Sequence, residues 1–318
     1  MKDESQMNPT VLVATWADGL FLIAGDNRHH ELAGQAVHAI APDGHGGALA
    51  IVSGGSLRRR TAGGEWLALA TSEFPLACCV AAGNAIYAGT DDAQVLRVSA
   101  DGSVEQLRGL EAVAGRAAWY AGSAIIDGQL VGPPLGIRSI TATADGRLLA
   151  NVHVGGIPRS TDGGATWQPT LDIDADVHQV CAHSTDPDLV IAAAAAGLCV
   201  SHDGGATWQV EQDGLHASYC SAVAFLGDDI LVSASTDHFA AQGAVYRRPI
   251  AERRPLTPVG GGLPRWTDGI ADTRGIATSG AAAAVADRAG NLYVSTDAGR
   301  TWELRASGLP QPSSVVII

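Results

Sequence analysis

Aromatic residues are scarce in this chain: they make up 5% of its 318 residues, while glycine alone accounts for 39. A core with so few large side chains must be filled by small and branched ones, which suits sheets that pack closely. Basic residues are also in short supply. Lys and Arg number 20 against 33 Asp and Glu, a net charge of −13, which argues against nucleic acid and anionic membranes as partners. No segment approaches the roughly 20 apolar residues of a membrane-spanning helix. The start, MKDESQMNPTVLVATWADGL, carries acids and no apolar run of signal-peptide length. Cysteine is limited to Cys78, Cys79, Cys181, Cys199 and Cys220, an odd number without a C-x-x-C pair. Cys78 and Cys79, as strand neighbours, point to opposite faces, so reduced thiols and a cytoplasmic location are expected. Also missing are a G-x-S-x-G elbow, an H-E-x-x-H pair, a phosphate-binding glycine loop and a dinucleotide fingerprint.

What is present is a repeat. RSTDGGATWQ at 159–168 is followed by VSHDGGATWQ at 200–209 and VSTDAGRTWE at 294–303. Asp162 and Asp203 stand 41 residues apart, and Asp297 lies 94 beyond Asp203, two further periods. Weaker copies, RTAGGEW at 60–66 and VSADGSVEQL at 98–107, fall in the earlier part of the chain. Units of about 40–47 residues holding short strands and glycine-rich turns have the period of propeller blades. Each residue type in the motif has a local task. The Asp accepts from turn N–H groups, the glycines take positive φ, the Ser and Thr add hydroxyl bonds, and the Trp covers the hairpin. A structural staple, not a catalytic acid, is the reading these residues favour.

These copies resemble the Asp-box, or BNR, repeat, S-x-D-x-G-x-T-W. The resemblance implies a β-propeller in which each box joins the third and fourth strands of a blade, away from the active face. It implies no single activity, because sialidases, xyloglucanases, sortilin-type receptors and a photosystem assembly factor share it. Sialidases also need an arginine triad, a Tyr–Glu pair and an acidic catalyst. GIPRS at 156–160 and VYRRP at 245–249 do not supply them, so a sialidase is disfavoured.

Strand patterns lay out six complete blades, at roughly 36–70, 76–108, 136–170, 177–211, 218–260 and 273–306. PTVLVATWADGLFLIAG and HHELAG at one end and SSVVII at the other make one more blade, with the C-terminal strand innermost. The expectation is an all-β, seven-bladed propeller in a single domain over 1–318, with six blades as the alternative. Residues 110–135 break the period and are read as an insertion.

Loops from outer to next inner strand, and from second to third strand, open on one face, where propeller ligands usually sit. That face is expected to carry His153, His178, His216, His238 and Asp237 as catalytic groups. Arg138, Arg274, Trp119, Tyr219, Trp266 and Asp272 are expected to bind substrate. One loop His alone is more often solvated; four on adjacent blades suggest a pocket. His153, His178, His216 and His238 together suit a divalent metal such as zinc, or a general base and acid without one. Arg138 and Arg274 suit an anionic group. The expected function is a hydrolase or lyase acting on a small molecule, with a non-catalytic binding propeller as the alternative.

Overall fold

The computed structural model describes residues 9–120, 124–126, 129–131 and 135–318. It forms a ring of seven antiparallel blades of four strands each, one of which also pairs its third strand with Thr267–Asp268. We number the blades from the first complete one: blade 1 (37–71), blade 2 (76–106), blade 3 (137–169), blade 4 (177–211), blade 5 (219–258) and blade 6 (276–306). Blade 7 is composite. Its inner strand is Pro312–Ile317, and Thr10–Thr15, Leu20–Ala24 and Asn27–Glu31 follow outward. Val11 to Thr15 pair antiparallel with Ile317 to Pro312, so the chain ends close the ring and leave no unpaired inner edge.

Why the sequence makes blades is visible in blade 4. Val190–Ala194 is buried at every position because neighbouring blades cover both faces. Its alanines fit the crowded centre, where larger side chains have no room. Hydrophobic clusters sit between successive blades, so each sheet is stabilised mainly by its two neighbours.

The Asp boxes join third to fourth strands. Asp162 accepts from the Thr166 N–H (2.9 Å), the Thr166 hydroxyl (2.6 Å) and the Ser160 hydroxyl (2.8 Å), while Gly164 N–H donates to Ser160 (2.8 Å). Asp203 and Asp297 repeat the pattern. Gly163 and Gly164 both have positive φ, 71° and 94°. Trp167 closes the hairpin, donating to the Gly164 carbonyl at 3.0 Å. With so many donors, the three carboxyls are held down at about 2. Blade 1 keeps the turn without an Asp: Glu65 N–H donates to the Thr61 hydroxyl, and Trp66 donates instead to Glu31 of blade 7.

The irregular stretch between blades 2 and 3 contains two 3-10 turns, Arg108–Ala112 and Arg116–Ala118, and a hairpin, Ala124–Ile126 with Gln129–Val131. No helix among the described residues is long and apolar enough to cross a membrane.

One irregularity recurs at the inner strands. Register shifts at the second residue in blades 1 to 4, skipping His38, Ala77, Arg138 and His178. A bulge releases one residue from the ladder and re-aims its side chain. These four bulged residues stand at the same end of their inner strands, and three of them, His38, Arg138 and His178, carry charge-bearing or titratable side chains.

Candidate functional site

The face opposite the Asp boxes collects the second-to-third loops and the outer-to-inner loops. Arg274 is its floor. This residue enters blade 6 with φ 62°, a left-handed conformation unusual for a long side chain. Its guanidinium crosses the axis and donates to the carbonyls of Arg138 (2.8 Å), His38 (3.3 Å) and Ala77 (3.4 Å), all three released by bulges. Its own N–H donates to Gln179 Oε1 (2.8 Å), and its carbonyl accepts from Val315 of blade 7 (3.0 Å). Gln179 continues to the Val223 carbonyl of blade 5 (3.1 Å). Arg274 and Gln179 together thus link all seven blades. Burial lowers the Arg274 pKa, with Cys78 opposing. Expected as an anion holder, Arg274 uses both terminal nitrogens on backbone carbonyls, and its Nε is buried without a hydrogen bond.

Above this floor stands Asp176, in the turn before blade 4 and also at positive φ, 50°. Its carboxylate lies between two imidazoles: Oδ1 is 3.8 Å from His153 Nε2, and Oδ2 is 3.8 Å from His178 Nε2. These are ion-pair rather than hydrogen-bond distances. Burial raises the Asp176 pKa, but His178, His153 and Arg138 outweigh it, and the net shift is downward. His178 is 3% exposed. Its Nδ1–H donates to the Cys220 carbonyl at 2.6 Å, so in a neutral ring the lone pair lies on Nε2, the nitrogen nearer Asp176. His153 is pushed down to about 4 by burial and by the Arg138 charge, with Asp176 opposing. Val154 beside it has φ 41°, strained for a β-branched residue.

A second acid–imidazole pair stands across Tyr219. His238 Nδ1 is 3.9 Å from Asp272 Oδ2, and Arg288 reaches the same Asp272 oxygen at 3.2 Å and the His238 carbonyl at 2.5 Å. Burial and Arg288 hold the His238 pKa low, with Asp272 opposing. Tyr219 packs against His178 with ring centroids 4.5 Å apart. Burial, Asp176 and Asp272 together raise its pKa. Arg138 is half-buried, and its charge acts on His153, Asp176, Tyr219, His238 and Asp272, the common neighbour of the group. A shallow crevice runs from Asp272 and Arg288 toward Ser313 and Ser314 of blade 7.

The structure therefore brings together His153, His178, His238, Arg138, Tyr219 and Asp272. It does not bring His216 to them. His216 shares the face but turns outward to Tyr246, whose hydroxyl it engages through Nδ1 (2.7 Å) and its own N–H (3.2 Å), and it packs edge-on against Trp266. Trp266 is covered by Arg265, 4.2 Å from its ring centre. Asp237 is spent locally, accepting from the Phe239 N–H (2.7 Å). Trp119 is buried under Arg116 and packs near Gly155 of the blade 3 loop. Among the described residues, no three His, Cys, Asp or Glu side chains are grouped to hold a metal ion. Asp176 and Arg288 were not singled out by the sequence. The signal for Asp176 is its position two residues before the bulged His178; for Arg288 there is only its place in a second-to-third loop.

The BNR/Asp-box repeat model matches residues 293–304. No curated protein matches the chain. Among solved structures, a GH74 enzyme of Niastella koreensis is similar at TM-score 0.62 and 14% identity, over 93% of this chain and 47% of that one. A GH74 xyloglucanase of Xanthomonas campestris gives 0.55 and 17%, over 92% and 46%. The WD40 β-propeller domain of Doa1 gives 0.57 and 12%, over 95% and 88%. The chain thus spans about half the length of the two GH74 proteins, and at these identities the likeness concerns the fold. Three full boxes and the closed ring agree: the chain is a seven-bladed β-propeller that carries Asp-box hairpins, one of them within the matched repeat.

Proposed function

We propose that this protein is a hydrolase or lyase for a small molecule bound on the face above Arg274, with Asp176 and His178 as its acid–base pair. The observation that carries this is the Nδ1–H bond to the Cys220 carbonyl, which holds the His178 ring with Nε2 3.8 Å from the Asp176 carboxylate. Asp176 is the solvent-facing member, with about a third of its side chain exposed, and His178 stands behind it. In hydrolysis the carboxylate takes a proton from water as the water oxygen bonds to the electrophilic atom. Shared with Nε2, that proton returns to the leaving group as its bond breaks. Arg138 stabilises the negative charge that develops. Because the residues as they stand do not gather around a metal, no step is assigned to one.

The test is turnover of a panel of chromogenic esters, phosphodiesters and glycosides. Asp176→Asn should lose at least about a hundredfold in rate on any compound the wild type cleaves, the usual scale for a general base, with the melting temperature held. Wild-type protein that binds panel compounds without turning any over identifies a binding propeller instead.

A further inference from the structure

The stretch between blades 2 and 3 does more than connect them. Arg116 donates twice to the Ala93 carbonyl of blade 2, both at 3.1 Å, and its guanidinium covers the Trp119 ring at 4.9 Å. Trp119 is buried with Leu110 and Val113 in the apolar cluster between blades 2 and 3. Two left-handed turns of the site rest on that cluster. The first carries His153. A Cβ on Gly155 would stand 3.1 Å from Trp119 Cδ2, and Val154, at φ 41°, accepts through its carbonyl from the Tyr120 N–H at 3.3 Å. The second carries Asp176, which caps the 3-10 turn Ile173–Ala175 and donates its N–H to the Ile173 carbonyl at 3.2 Å. The Ile173 side chain packs into the same cluster as Trp119. The two turns also meet each other, since a Cβ on Gly156 would stand 2.1 Å from the Leu171 carbonyl oxygen.

We infer that Trp119 is a positioning residue, which holds His153 against Asp176 by seating the turns that carry them. Left-handed backbone at residues other than glycine persists only where the surroundings over-determine it. Here the Trp119 ring gives both turns one rigid apolar seat, and the Tyr120 N–H latches the first. The 3.8 Å between His153 Nε2 and Asp176 Oδ1 is then set by how the turns sit side by side. An imidazole and a carboxylate feel each other as the inverse of their distance, and more strongly where water is excluded, so a small displacement weakens the pair. Removing the ring leaves a cavity that the neighbours fill only in part, and the turns above it are the neighbours free to move. The inference concerns the site of the proposed acid–base pair but is read from geometry without turnover, so it holds or fails separately from that reading.

Ring resonances of histidine-labelled protein at neutral pH read the pair directly. In the wild-type background Asp176→Asn, which tolerates the left-handed backbone, should displace the His153 ring signals. In the Trp119→Ala background the same substitution should displace them at least about twofold less, the loss of coupling that a double-mutant cycle reports. Trp119→Phe, which keeps a ring in the cluster, should restore most of the response. Tyr120→Pro tests the latch separately. Trp119 already has the extended conformation that precedes proline, φ −68° and ψ 142°, and Tyr120 is exposed, so the change removes little but the N–H. It should lower the response where Tyr120→Ala does not. Asp272→Asn should displace His238 equally in every background, because that pair is built from blade 5 and the loop entering blade 6. A folded Trp119→Ala protein with the wild-type response at His153 overturns the inference, since Trp119 then only fills the core. A loss at His238 as large as that at His153 also overturns it, as general loosening. If Trp119→Ala does not fold, Tyr120→Pro decides, and a response equal to that of Tyr120→Ala overturns the inference.

Discussion

Replacing Arg274 by Met keeps a long, flexible side chain but removes every donor from the axis. Three backbone carbonyls lose their partner. One contact, to Arg138, is at 2.8 Å and strong; those to His38 and Ala77 are at 3.3 and 3.4 Å and weaker. A hydrogen bond from a charged donor contributes about 1.5–3 kcal/mol, and the longer two less. Burying a guanidinium costs energy that Met does not incur, so part of the loss is offset. The balance is a destabilisation of about 2–4 kcal/mol. At about 2.1 cal/mol/K of unfolding entropy per residue, a chain of this length should melt about 3–6 °C lower. Arg274→Lys, which retains one charge and reaches one carbonyl, should fall between the two. Differential scanning calorimetry at neutral pH gives the comparison. If Arg274→Met melts within 1 °C of wild type, on the scale of experimental scatter, the axial tie is not holding the ring together.

The Asp boxes and the imidazoles give two further expectations. Asp203→Ala removes an acceptor of two N–H groups and two hydroxyls on a largely exposed turn, and should cost about 1–2 kcal/mol; urea denaturation measures this, and ligand binding by the folded protein should be unchanged. His153 has a folded-state pKa of about 4 against 6.5 when unfolded. Between those values the unfolded chain holds a proton that the folded one does not, so stability is lost as pH falls through that window, by up to about 3 kcal/mol. The urea midpoint of His153→Gln should decline less steeply from pH 6.5 to 4, and a slope equal to wild type contradicts the assignment.

How far the sequence leads depends on the kind of contact. Blade boundaries are legible because each box is a local hairpin, satisfied within ten residues. Closure by SSVVII is legible because the two ends lack one strand in complementary places. The face on which a loop opens follows from strand order. Distance from the axis does not: His216 and His178 share a face, yet Tyr246, on the third strand of blade 5, draws His216 outward while a bulge turns His178 inward. Arg274 likewise looks like any loop arginine until the released carbonyls of three distant blades are seen to converge on it. Asp176 escaped notice because its role comes from two imidazoles on different blades, 23 residues before it and two after.

The state of one imidazole decides between an acid–base pair and a structural histidine. Nitrogen-15 chemical shifts of His178, measured by two-dimensional NMR on protein labelled at histidine, report the tautomer. The prediction at neutral pH is a protonated Nδ1, bonded to the Cys220 carbonyl, and an unprotonated Nε2 whose shift moves when Asp176→Asn is introduced. A proton on Nε2 with a bare Nδ1, unresponsive to Asp176→Asn, contradicts both the hydrogen bond and the acid–base pair built on it.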